Sequence, residues 1–189
     1  MISAILLAAG QSKRMGGENK LVKNIQNLPL IKYSVKNILD SSIDELVVVL
    51  GYQKQIIEKL IDNNNKIKIV LNKDFKSGIA SSIKTGINNL SKKTEAFFIC
   101  LGDMPLVNKD IYNHMIKHKN KYEIVIPTYK GQQGNPILFS KTMINKIMNI
   151  EGDIGAKKIL EKNKNKILNI EINDQCIIRD FNTQKNFDF

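Results

Sequence analysis

Apolar residues along this chain fall into short unbroken runs, and the stretches between them carry a helical repeat. Residues 2–9, from Ile2 to Ala9, are apolar at nearly every position and span the length of one strand buried on both faces. Residues 45–50, 67–71, 96–101 and 123–126 repeat that pattern. Residues 29–39 place apolar side chains three and four apart, with Pro29 positioned to open a helix. Residues 53–61, 77–90 and 108–117 read as further helices, and Asn63-Asn64-Asn65 as a turn. Buried strands alternating with helices predict an α/β fold: a three-layer domain over residues 1–189, with a mostly parallel twisted sheet covered on both faces. Ligands on such sheets bind beyond the carboxyl ends of the strands, so the loops that follow strands are where chemistry is expected.

Composition adds little to that outline. The chain has 189 residues, 42% of them hydrophobic, which suits a folded domain rather than disorder. No apolar run reaches the length of a membrane span, and the apolar start lacks a basic flank, so a cytoplasmic protein is expected, with no membrane partner. Cys100 and Cys176 lie in apolar, strand-like segments and read as separate buried thiols. The formal charge of +11 raises the question of nucleic acid. However, the 29 basic residues include two arginines, Arg14 and Arg179, and the lysines are spread along the chain with no aromatic cluster to stack bases. The expectation is solvated helix faces plus a site for an anionic substrate, without nucleic acid as a partner.

That site is sought first where the leading strand ends. Leu7, Ala8 and Ala9 run into a loop with glycines at Gly10, Gly16 and Gly17 and cations at Lys13, Arg14 and Lys20. Glycines let backbone N–H groups approach a phosphate closely, and the cations neutralise it. The spacing fits neither Gly-x4-Gly-Lys-Ser/Thr nor Gly-x-Gly-x-x-Gly. An ordinary basic turn is the plainer alternative.

Other strand ends supply further candidates. Leu101-Gly102-Asp103-Met104-Pro105 sets a carboxylate directly after a buried strand, the best metal candidate in the chain, although an Asp there could also cap the next helix. Gly78, Ser81 and Ser82 combine a glycine and two hydroxyls at a helix start, suited to an anion or a base or simply to capping. Gly134, Asn135 and Pro136 form a glycine turn leading into a strand. Asp180 and Asn182 lie near the end of the chain, where a last strand or helix cap is the plainer reading. His114 and His118 are four apart on a predicted helix but lack the Glu of His-Glu-x-x-His.

The run Leu7-Ala8-Ala9-Gly10-x-Ser12-x-Arg14-Met15-Gly16, closed by Lys20, resembles the nucleotide-binding motif of the MobA-like nucleotidyltransferases. Ala9 before Gly10 is most similar to the molybdenum cofactor cytidylyltransferases, whereas the guanylyltransferase branch usually reads Leu-Ala-Gly-Gly. Gly78-Ile79-Ala80-Ser81-Ser82 (with Ile79 in place of the usual Met), Asp103-Met104-Pro105 and Gly134-Asn135-Pro136-Ile137-Leu138-Phe139 resemble later motifs of that family in the same order. Gly152-Asp153-Ile154-Gly155-Ala156-Lys157 departs from it at Lys157, usually Arg, and the C-terminal stretch departs at Asn182 and Gln184. The resemblance implies a Rossmann-like, nucleotide-diphospho-sugar transferase-like domain that transfers CMP from CTP to the phosphate of a molybdopterin-type acceptor and releases pyrophosphate. It assigns Arg14, Lys20 and Asp103 to catalysis. It assigns Leu7, Ala8, Ala9, Gly10, Lys20, Gly78, Ser81 and Ser82 to the nucleotide, Gly134, Asn135 and Pro136 to the acceptor, and Asp103 and Asp180 to Mg²⁺, with Mn²⁺ as the alternative ion and Asn182 as the alternative to Asp180. It implies CTP or another nucleoside triphosphate as partner, and a molybdoenzyme or its chaperone as recipient. The alternatives are a guanylyltransferase, a sugar- or alcohol-phosphate nucleotidyltransferase on the same fold, a non-catalytic nucleotide or cofactor carrier, or a basic nucleic-acid-binding module.

Overall fold

The computed structural model describes residues 1–12, 18–152 and 156–182. The first apolar run is strand β1 (Ile2–Ala8). A short hairpin, β2 (Asn24–Ile25) and β3 (Leu28–Pro29), leads into α1 (Leu30–Leu39). There follow β4 (Glu45–Leu50), α2 (Lys54–Glu58), β5 (Ile67–Leu71), α3 (Ile79–Asn88), β6 (Ala96–Leu101) and α4 (Lys109–Ile116). The rest comprises β7 (Ile124–Tyr129), β8 (Gln132–Gln133), β9 (Ile137–Ser140), α5 (Ile144–Ile147), α6 (Lys157–Lys162) and β10 (Ile167–Glu171).

The main sheet runs β10-β7-β9-β6-β1-β4-β5, with β8 paired to β7. β1 sits centrally, parallel to β4 on one side and β6 on the other. Alternate β1 side chains divide between the faces: Ala4, Leu6 and Ala8 join α1, α2 and α4 in one core, while Ile5 joins α3, α5 and α6 in the other. This is the three-layer arrangement expected from the unbroken apolar runs. Phe97, Phe98, Phe139 and Phe181 are fully buried, each worth about 1.5–3 kcal/mol of transfer free energy.

Several expectations need correction. The strand beginning near Glu123 continues past Pro127 to Tyr129. Pro127 falls between the β9 partners of Ile124 and Val125 and the β8 partners of Thr128 and Tyr129, so its missing N–H interrupts neither antiparallel pairing. α2 is one turn rather than the longer helix expected. Cys176 is not in a strand: Asp174 Oδ1 accepts its N–H at 2.8 Å and bends the chain into a 3-10 turn over Gln175–Ile177. Both cysteines are buried and unpaired, as expected. Among the described residues no helix is long and apolar enough to cross a membrane.

Candidate functional site

At the carboxyl end of the sheet a cleft of about 490 Å³ opens between the ends of β1 and β6 and the start of α3. Its lining includes Leu7, Ala9, Gly10 and Ser12 from the first loop, Gly78 and Ser82 from the α3 start, and Asp103 after β6. Asp180, Asn182 and Lys20 complete it. Residues drawn from five parts of the chain therefore meet at one point, the place where a sheet of this kind binds its ligands.

Local chemistry explains how each is held. The Lys20–Val22 turn is capped by buried Asn19, whose side-chain Oδ1 accepts the Leu21 N–H at 3.1 Å, and the Lys20 N–H is received by Ser12 Oγ at 3.1 Å. Asp103 does not cap the following helix, because Asn108 does so through the N–H groups of Asp110 and Ile111. That frees the Asp103 carboxylate for the cleft, where its Oδ2 lies 2.5 Å from Lys20 Nζ. The Asp103 carbonyl meanwhile accepts the Phe181 N–H at 2.9 Å, which draws the C-terminal segment back across the sheet end. Fully buried Phe181 anchors it, and the flanking Asp180 and Asn182 are delivered to the cleft. Asn182 accepts from Lys20 Nζ at 2.5 Å and donates to Asp180 Oδ2.

On the opposite wall, Gly78 has φ +111°, a conformation that other residues rarely adopt. Asn72, almost fully buried, donates to Ser81 Oγ at 2.8 Å and Ser82 Oγ at 2.9 Å and so sets the direction of both hydroxyls. Ser82 and Gly78 line the cleft, whereas the Ser81 hydroxyl bonds the Gly78 and Asp74 carbonyls beside it. Ala8 is buried beneath the floor and can present only its backbone. Gly134, Asn135 and Pro136 stand at the same sheet edge but outside the cleft lining. Gly134 N–H bonds the Pro127 carbonyl, and Asn135 N–H the Ile177 carbonyl, both at 2.8 Å.

Asn19, Asn72, Phe75 and Lys76 were not picked out by the sequence. The two asparagines show up only once their side chains are seen bridging segments, while Phe75 and Lys76 carried a usable signal as an aromatic and a cation soon after the edge strand β5. Arg14, Asp153 to Gly155, the Lys157 side chain and Gln184 lie outside the described residues. The His114 and His118 rings pack edge-to-face with centroids 5.8 Å apart. Among the described residues no group of three or more His, Cys, Asp or Glu side chains is placed to hold a metal ion. Any cation at the cleft would therefore rest on Asp103, Asp180 and the Asn182 oxygen together with oxygens of a bound phosphate. That hard, oxygen-only donor set fits Mg²⁺ or Mn²⁺.

Comparison with known proteins bears on the family and the fold. Residues 4–167 match the family described as "MobA-like NTP transferase domain". The chain is 28% identical over 186 residues to the molybdenum cofactor cytidylyltransferase of Escherichia coli, covering 98% of this chain and 93% of that one. It is 34% identical over 134 residues to a probable molybdenum cofactor guanylyltransferase of Natranaerobius thermophilus, covering 69% of this chain and 62% of that one. A nucleotidyl transferase structure from Methanothermobacter superposes with a TM-score of 0.86 at 19% identity, covering 99% and 94% of the two chains, a likeness of fold.

Proposed function

The chain belongs to the MobA-like NTP transferase family, and from that premise we propose that it transfers CMP from CTP to the phosphate of a molybdopterin-type acceptor, releasing pyrophosphate. The observation that carries the proposal is the meeting of Lys20, Asp103, Asp180 and Asn182 with the Gly10 loop in one cleft. An oxygen of the acceptor phosphate attacks the α-phosphorus of CTP. The new P–O bond forms as the bond to the bridging oxygen of the β-phosphate breaks, and pyrophosphate departs with that electron pair.

The protein's part is positioning and charge. Leu7, the Ala8 backbone, Ala9, Gly10, Gly78 and Ser82 would receive the nucleoside, with Ser81 supporting that wall from behind. Lys20 and Arg14 would stabilise negative charge on the β- and γ-phosphates. Asp103 and Asp180, with Asn182 beside them, would hold a divalent cation. Bound there, Mg²⁺ or Mn²⁺ would neutralise the phosphates and polarise them toward attack. Gly134, Asn135 and Pro136 would border the acceptor.

CTP is preferred over GTP because Ala9 stands where the guanylyl branch usually has glycine, and because the cytidylyltransferase match spans nearly the whole chain. The experiment is pyrophosphate release with Mg²⁺ or Mn²⁺ and CTP, GTP, ATP or UTP, with and without molybdenum cofactor. Release with CTP that requires the cofactor is expected, and Asp103→Ala should remove at least about 99% of it while leaving the circular-dichroism spectrum unchanged. Turnover with GTP in place of CTP would move the chain to the guanylyl branch. Full activity in Asp103→Ala would overturn the metal assignment.

A further inference from the structure

Lys20 Nζ stands at the point where the cleft's oxygen donors converge. It lies 2.5 Å from Asp103 Oδ2 and 2.5 Å from Asn182 Oδ1, and Asn182 is bonded in turn to Asp180. The Lys20 and Asp103 side chains are 18% and 16% exposed, so this pair is shielded from solvent rather than screened like a surface bridge. We propose, on the reading above that these oxygens hold a divalent cation, that Lys20 and the cation compete for them, and that the nucleotide triphosphate settles the competition by drawing Lys20 away. Lys20 is then a positioning residue that couples cation loading to nucleotide loading, in addition to contacting phosphate.

Three observations support this coupling. An ammonium and a dication held within bonding distance of the same Asp103 Oδ2 and Asn182 Oδ1 lie close enough to repel strongly, so each weakens the other's hold on those oxygens. The Lys20 backbone is fixed by the Ser12 hydroxyl and the Asn19-capped turn, so the exchange falls to the side chain, a flexible four-carbon stem. Finally, Gly10, Gln11 and Ser12 line the same cleft as Asp103. A triphosphate seated there gives the ammonium a new anionic partner without any movement of the backbone.

The consequence is quantitative. Cation affinity without nucleotide is reduced by the fraction of molecules whose oxygens are free of Lys20, which for a charge-assisted pair of this kind is about one in ten to one in a hundred. With nucleotide bound the reduction disappears, so the two ligands load synergistically.

The test is titration with Mn²⁺ alone, following the free ion by electron paramagnetic resonance, in the full-length protein. Lys20→Met should bind Mn²⁺ about tenfold or more tightly than the unaltered chain. Lys76→Met removes the same charge from another part of the cleft lining and should change affinity by less than about threefold. Asp103→Asn should abolish the site. Adding CTP should raise Mn²⁺ affinity far more in the unaltered protein than in Lys20→Met. Lys20→Leu, which also removes both the charge and the donor beside Asp103, gives the same readout if the methionine variant does not fold. Equal affinity in the unaltered protein and the Lys20 variants, with Asp103→Asn still abolishing binding, would overturn the competition and leave the metal site standing. Equal tightening by Lys76→Met would reduce the effect to general electrostatics and overturn it too. Mn²⁺ binding that ignores Asp103→Asn would overturn the metal reading itself.

Discussion

Replacing Gly134 by alanine tests how the C-terminal segment is set over the cleft. Gly134 has no need of an unusual backbone angle; what it lacks is room. A methyl group there would overlap the Ile177 carbonyl oxygen and stand 2.9 Å from both the Ile177 carbonyl carbon and its Cδ1. Carbon–carbon contacts settle near 3.5–4.0 Å, so the chain at Ile177 must retreat by about 1 Å. It cannot do so freely, because Asn135 N–H holds the Ile177 carbonyl at 2.8 Å and Ile177 is fully buried. Overpacking of this kind costs about 1–3 kcal/mol. For 189 residues that corresponds to a Tm lower by about 2–12 °C. The displaced segment also carries Asp180 and Asn182, and a 1 Å misplacement of positioning groups costs about a hundredfold in rate. We therefore expect Gly134→Ala to lower kcat for pyrophosphate release by about that factor, measured beside a thermal melt. If Gly134 instead acts by touching the acceptor, KM for the acceptor rises while kcat and Tm hold. Unchanged Tm with unchanged kcat would refute the steric argument altogether.

Three further outcomes rest on the burial of single side chains. Phe181→Ala should destabilise the fold by about 3–5 kcal/mol in urea unfolding, because the ring is fully buried, and should weaken Mn²⁺ binding because it anchors Asp180 and Asn182. Burial pushes the Cys100 thiol up to about 12, and burial with the Asp174 carboxylate beside it does the same for Cys176. Both thiols should therefore resist Ellman's reagent at pH 8 in the native protein and react at once in guanidinium. The folded state keeps these protons longer than the unfolded chain, so the stability they contribute is present below the unfolded thiol value and declines as pH rises from about 9 toward 12. Urea midpoints measured across that range check the sign, and a midpoint that rises would contradict it.

The sequence by itself determined the layered architecture and the edge of the sheet at which the cleft opens. Runs such as Ile2–Ala8 and Ala96–Leu101 are apolar at nearly every residue because helices cover both faces of the sheet, and that requirement is written locally. Asp103 was legible for the same reason: a carboxylate that ends a buried strand has nowhere to go but the ligand edge. Tertiary structure alone decided the rest. β9 inserts antiparallel between β6 and β7, and the segment around Phe181 returns to Asp103; both join residues distant along the chain, where no periodicity reports the pairing. Gly134 reads in the sequence as a turn or an acceptor contact, and only the folded chain adds the close approach of Ile177 as a packing reason for it. Lys20 read as a phosphate cation, and only the folded chain sets its ammonium between Asp103 and Asn182, which are 83 and 162 residues away. Local pattern records what each residue must be buried against. Which distant group it meets is set by the packing of the whole chain.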